Sequence, residues 1–324
     1  MNAWTACSCL APQIERFIEL RRLSGSSYDS QARLFAYFDR FLVEQNVKEP
    51  RITQEICERY LESLVKLAPR TRGNRFCVVR QLCEYLARTD PRAYLPEPLR
   101  GPFSRQAHAP YIFTRQEVAA LLSGAMRLPP LGALRPHTYR TLFGLLYSTG
   151  IRIGEAFALN LENFFPADQR LYITEGKFRK ARWIALSSSA AQAVGEYVDR
   201  RMRKEPHSPD SPLLLNERRQ RLCHSTVYPT FRKLLNDCSI VSGHGRRPRI
   251  HDLRHTFAVH RLLQWYRDGE DINGRLPVLA TYMGHVDVSS TQVYLQPTAE
   301  LLGEVDRRFR EHYLQHLAPK GGPS

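Results

Sequence analysis

Six side chains, spread over positions 152 to 294, have the types needed to act on a phosphodiester: Arg152, Lys177, His251, Arg254, His285 and Tyr294. Phosphoryl transfer spreads negative charge over the non-bridging oxygens, so its catalysis is mostly positioning and electrostatic stabilisation. Arginine suits that task, because its planar fork stays charged and meets phosphate bidentately. Arg152 lies in Thr149-Gly150-Ile151-Arg152-Ile153-Gly154-Glu155, where Gly150 ends one helix and the next begins. Arg254 lies in His251-Asp252-Leu253-Arg254-His255. On a helix, residues three apart share a face, so one phosphate could meet both His251 and Arg254.

Tyr294 supplies a nucleophile. At pH 7 a free phenolate costs about 4 kcal/mol to form, a cost lowered by nearby positive charge or by a general base. Among fifteen tyrosines it stands out by its place after Gly284-His285, not by its type. Lys177 follows Gly176 in a basic turn, from which a side chain can reach a leaving 5′-oxygen and protonate it. Lys180 in the same turn is a competitor for that role, and a solvated hairpin tip is the plain alternative.

The elements that must hold these groups follow from periodicity. Residues 1–103 read as a small helical bundle of four amphipathic stretches. Their apolar positions are Ile14, Phe17, Ile18 and Leu23; Leu34, Phe35, Phe38, Phe41 and Leu42; Ile56, Tyr60, Leu61 and Leu64; and Phe76, Val79, Leu82, Cys83 and Leu86. Thr53 is a candidate N-cap for the third. Arg70, Arg72, Arg75 and Arg80 cluster around the fourth, either as a solvated basic face or as phosphate contacts. Pro96, Pro98, Gly101, Pro102 and Pro110 then break every pattern, and a linker is placed at 104–112. Thr114 followed by Glu117 is a capping box that opens a second domain, 113–324. There, short strands are expected at 171–174 and 183–186, and helices near 188–202, 225–237, 251–263 and 299–313. The fold class is mainly α with a small β-sheet.

Composition narrows the partners. A formal net charge of +15 makes a polyanion the leading candidate. No apolar run approaches the roughly 20 residues that span a bilayer, no polybasic amphipathic helix points to a membrane surface, and the first residues lack signal-peptide features. A cytoplasmic protein is expected. Seven irregularly spaced cysteines, with one C-x-C at Cys7 and Cys9 and no second pair, suit free thiols in a reducing compartment better than a zinc site.

Taken in order, these boxes resemble those of the tyrosine recombinases, the phage-integrase family, over roughly 111–313. Arg152 with the supporting acid Glu155, the hairpin lysine Lys177, His251 to His255, Met283-Gly284-His285 (Met where Leu is usual) and Tyr294 each match a motif of that family. The resemblance implies a helical core-site DNA-binding domain followed by a mixed α/β catalytic domain. It implies a site-specific recombinase acting on double-stranded DNA through a 3′-phosphotyrosyl intermediate. Arg152 and Arg254 would neutralise the phosphoryl oxygens, with His251 as base, Lys177 as acid and His285 as hydrogen-bonding support. Bond energy is conserved, so no cofactor, ATP or metal is implied. A homo-oligomer, with four protomers on two DNA sites, is expected, the helix near 299–313 packing on a neighbour. Two other readings share the features: a DNA-binding accessory protein without activity, and a type IB topoisomerase-like enzyme.

Overall fold

The computed structural model describes residues 5–25, 28–90, 92–99, 110–174, 181–203, 208–241, 247–284 and 303. The chain divides into two compact units between positions 108 and 109.

Among its described residues the first unit holds four helices: α1 (Ala11–Leu23), α2 (Asp29–Glu44), α3 (Gln54–Ser63) and α4 (Pro69–Leu86). Thr53 caps α3, accepting from the Ile56 backbone N–H at 3.3 Å. Phe35, Phe38, Leu42, Val79 and Leu82 are fully buried, and the Phe38 and Tyr60 rings meet edge-on at 4.9 Å. Each helical stripe is thus covered by its neighbours, the burial that makes such short helices stable. The stripe of α1 stops at Ile18. Leu23 is 79% exposed, because the last turn of α1 also carries Arg21 and Arg22 and faces water.

Among its described residues the second unit contains α5 (Arg115–Met126), α6 (Leu134–Thr149), α7 (Ile153–Ala158), one 3₁₀ turn at Leu161–Asn163, and three short strands. The strands are β1 (Phe164–Phe165), β2 (Arg170–Ile173) and β3 (Arg182–Ala185). They are followed by α8 (Ser188–Met202), α9 (His224–Asp237), α10 (Ile250–Arg267) and α11 (Ile272–Met283). The Thr114–Glu117 capping box is present at the start of α5. α6 packs against α5, α8 and α10; its Leu142, Phe143, Leu145 and Leu146 are buried in one core with Leu171, Ile173 and Ile184 of the sheet.

The sheet is antiparallel in the order β1-β2-β3, with Ile173 opposite Arg182. β2 and β3 each begin one residue earlier than the expected strands. β1 is too short for a periodic signal. α11 was also hidden from periodicity, since Gly274 and Pro277 lie inside it. It forms nonetheless, because Asp271 accepts from the N–H groups of Asn273 and Gly274, and Leu276, Leu279 and Met283 are buried. The expected linker lies largely outside the described residues, as does the expected 299–313 helix apart from Gly303. Among the described residues, no helix is long and apolar enough to cross a membrane.

Candidate active site

The junction of α6 and α7 sets the first arginine. Gly150 caps α6 at φ +64°, and a Cβ there would lie 2.3 Å from Cδ1 of Phe257 on α10. Only glycine satisfies both the left-handed backbone and that close approach. Two residues later Arg152 precedes α7, and its backbone N–H donates to Oε2 of Glu155 at 2.9 Å.

Glu155 is the anchor of the cluster. Its carboxylate is 4% exposed. It accepts from Nη1 of Arg152 at 2.9 Å and from Nη1 and Nη2 of Arg182 at 3.0 and 2.8 Å. Burial alone would raise its pKa, but the hydrogen bonds and charge of Arg182 and Arg152 outweigh burial and hold it below the ordinary carboxylate range.

Three guanidinium groups then converge on three successive carbonyls. Arg182 donates from Nε to Tyr282 O at 2.9 Å. Arg254 donates from Nη2 to Met283 O at 2.7 Å, and Arg152 from Nη2 to Gly284 O at 2.7 Å. These carbonyls close the C-terminal end of α11, where the helix dipole favours cations. Gly284 sits at φ +69°, and a Cβ on it would stand 3.0 Å from Cζ of Arg182 and 3.3 Å from Nη1 of Arg152. Arg254, only 2% exposed, also donates from Nη1 to Gly150 O, tying α10 to the α6–α7 junction. Three arginines against one carboxylate leave a net +2 by subtraction (3 − 1), a setting suited to a phosphodiester.

His251 stands in the first turn of α10, one residue after Ile250, and remains exposed. The Arg249 N–H donates to Oδ2 of Asp252 at 2.7 Å, fixing that turn. The His251 ring meets His255 edge-on at 4.8 Å. Crowding by surrounding protein, then the charges of His255 and Arg254, push its pKa down to about 4. At pH 7 it is neutral and able to accept a proton.

The structure therefore gathers Arg152, Glu155 and Arg254 and brings them a residue not anticipated from sequence, Arg182. Its only sequence signal was its place as the last residue of the basic turn from Gly176 to Arg182. On an isolated hairpin such a side chain reads as solvated; α11 and Glu155 make it a partner. Lys177, Lys180, His285 and Tyr294 lie outside the described residues, although His285 follows the arginine-bound Gly284 directly in sequence. In the first unit, Arg70 is exposed in the first turn of α4. Arg72 is half-buried, Arg75 lies over the Tyr37 ring at 3.6 Å, and Arg80 pairs with Glu84 at 2.5 Å and donates to Pro96 O at 3.1 Å. Among the described residues no group of three or more His, Cys, Asp or Glu side chains is placed to hold a metal ion.

A helical scaffold with a small sheet gathers arginines from three separate stretches at one helix end, two of them on a buried acid, an arrangement that suits phosphoryl transfer on a polyanion. Known proteins resemble this chain in sequence and in fold. The profile of the Phage integrase family matches residues 112–300. A Sinorhizobium fredii protein, provisionally named integrase/recombinase y4rB, is 32% identical over 307 residues, covering 93% of this chain and 96% of its own. The tyrosine recombinase XerD of Caulobacter vibrioides is 31% identical over 263 residues, 78% of this chain and 79% of its own. In shape, the XerH recombinase bound to its palindromic difH substrate matches with a TM-score of 0.62 at 19% identity, over 89% of this chain and 81% of that one. The lambda integrase dimer on a core site matches with a TM-score of 0.58 at 15% identity, over 87% and 96%. The chain belongs to the phage integrase family, the tyrosine recombinases.

Proposed function

We propose that this chain is a site-specific recombinase that cuts and rejoins double-stranded DNA through a 3′-phosphotyrosyl intermediate, with the six residues acting in distinct roles. The observation that carries this reading is the convergence of Arg152 and Arg254 on the adjacent carbonyls of Gly284 and Met283. Two helix starts far apart in sequence meet there, immediately before His285. Arg152 and Arg254 hold the non-bridging oxygens as charge develops on them. The Tyr294 oxygen attacks phosphorus in line, and the bond from phosphorus to the 5′-oxygen breaks. Neutral His251 takes the phenol proton, and Lys177 gives a proton to the departing 5′-oxygen. His285 donates a supporting hydrogen bond to the phosphate. A 5′-hydroxyl from a partner strand then attacks the phosphotyrosine and releases Tyr294. One phosphoester replaces another at each step, so neither ATP nor a metal is required.

The helical unit, bounded at 1–103 and joined through 104–112 to the catalytic unit 113–324, is assigned to core-site DNA. Arg70 is its most exposed phosphate contact; Arg72 and Arg75 stand beside it on α4, and Arg80 helps shape the same helix. Exchange between two DNA sites calls for four protomers, and the proposed compartment is the cytoplasm.

Trapping on a nicked suicide DNA substrate tests the assignment. The parent chain should form a covalent protein–DNA adduct and Tyr294→Phe none. An equal adduct from both would overturn the role of Tyr294. Relaxation of plasmids without sequence preference would point to the topoisomerase-like alternative.

A further inference from the structure

The N-terminal end of α6 opens onto a second cationic recess that phosphodiester cleavage does not use. α6 has 16 residues, so at 1.5 Å per residue this end lies about 24 Å from the Gly150 junction. The recess has a volume of about 420 Å³, and its walls come from the start of α6, the end of α8 and the 215–219 loop. Among the described residues, Arg135, Arg200, Arg201, Arg203 and Arg219 line it together with one acid, Glu217. These described residues carry five positive charges against one negative, +4 by subtraction. Glu217 stands 3.8 Å from Nη1 of Arg135. Ala133, at the N-cap of α6, offers no side-chain acceptor to the first-turn N–H groups.

Arg201 distinguishes this recess from an ordinary basic surface. It is 2% exposed, and its Nη1 donates to the carbonyls of Pro212 and Leu213. Among the described residues its Nε and Nη2 are buried with no hydrogen-bond partner, and no carboxylate pairs with it. A desolvated guanidinium without a counter-charge is costly. An anion seated above it offsets that cost by Coulomb attraction, while the exposed Arg200 and Arg203 are free to grip it directly.

We propose that this recess binds a phosphate group, separately from the catalytic cluster. The forked donors match phosphate oxygens and the net charge favours an anion, and the volume admits a small phosphate ester. The group could come from a free phosphate ester or from a DNA backbone, and the two sources are separable. The inference does not depend on the cleavage roles assigned above.

The test uses the full chain and inorganic phosphate as probe, compared with chloride at equal ionic strength, in thermal-shift and calorimetric titrations. Phosphate should raise the Tm of the parent, and Arg200→Gln/Arg203→Gln should bind it at least tenfold more weakly. Both residues are exposed, so the double variant should keep its fold. Glu217→Gln, which removes the competing acid, should bind phosphate more tightly. Arg201→Met gives up the two carbonyl hydrogen bonds, so it is read against its own chloride baseline; it should lose most of the phosphate-induced rise. If the parent shows no rise beyond chloride, or if the double variant matches it, the proposal is wrong. It is equally wrong if Arg152→Gln abolishes the rise while the double variant keeps it, since the phosphate then sits in the catalytic cluster. A non-specific duplex identifies the source. If the double variant's log affinity depends less steeply on log salt by about 2, two backbone contacts have been lost and DNA is the ligand. An unchanged slope, with phosphate binding lost, identifies a free phosphate ester.

Discussion

Replacing Glu155 with Gln probes the physical basis of the site without emptying space. The carboxylate is 4% exposed and receives four hydrogen bonds, one from the Arg152 backbone, one from the Arg152 side chain and two from Arg182. Glutamine keeps the volume but carries no charge, and it turns one N–H₂ toward guanidinium donors. Removing one partner of a buried ion pair costs about 3–5 kcal/mol. The Arg152 and Arg182 side chains are 23% and 13% exposed, so water can partly replace the lost acceptor. We therefore expect the low end, about 3 kcal/mol. For a unit of this size that corresponds to a fall of about 6–12 °C in Tm. Cleavage should slow about 100-fold, since a displacement of Arg152 near 1 Å has that scale of effect. The pH dependence supplies a second signature. Glu155 has a depressed folded-state pKa, so its stabilisation is present above the unfolded value of about 4.3 and is lost as pH falls through the folded value. The Tm gap between parent and Glu155→Gln should therefore narrow in acid. Calorimetry and single-turnover cleavage of a suicide substrate measure both effects. A variant within about 0.5 kcal/mol of the parent, cleaving at a comparable rate, would refute the view that this acid anchors the arginines.

Three further outcomes follow from the geometry. Gly150→Ala should cost about 2–5 kcal/mol, from the left-handed backbone and the 2.3 Å approach to Phe257; denaturant unfolding reads it, and a cost under 1 kcal/mol would contradict the packing argument. His251, neutral down to about pH 4 when folded but titrating near 6.5 when unfolded, takes up more protons in the unfolded chain between those values; stability should rise with pH through that window, and His251→Gln should flatten the rise in a Tm-against-pH series. Arg182→Lys supplies one compact charge where a fork holds both Glu155 oxygens and Tyr282 O; the cleavage rate should fall about 10- to 100-fold while DNA affinity stays level, and rescue of full rate by lysine would show that charge alone suffices.

Sequence by itself determined the local devices. The Thr114–Glu117 box, the Thr53 cap and the Gly150 stop are contacts within a few residues, so their signals are written in adjacent letters. Helical stripes such as Phe35, Phe38 and Leu42 were legible because burial repeats with the helix period. The boxes around Arg152 and Arg254 could be read in order, and so could the charge that favours DNA. Tertiary structure decided what those boxes share. Arg182 and Tyr282 are 100 residues apart, and Arg254 and Gly150 are 104 apart, so no window of sequence contains either pair. α11 was hidden by Gly274 and Pro277, and it forms because its far face is buried. Through it, three arginines find carbonyl acceptors at one helix end, where the partial negative charge of the backbone holds cations that would otherwise repel. Arg201 makes the same point at the other end of α6: nothing in its neighbours along the chain distinguishes it from Arg200 or Arg203, and only packing removes it from water.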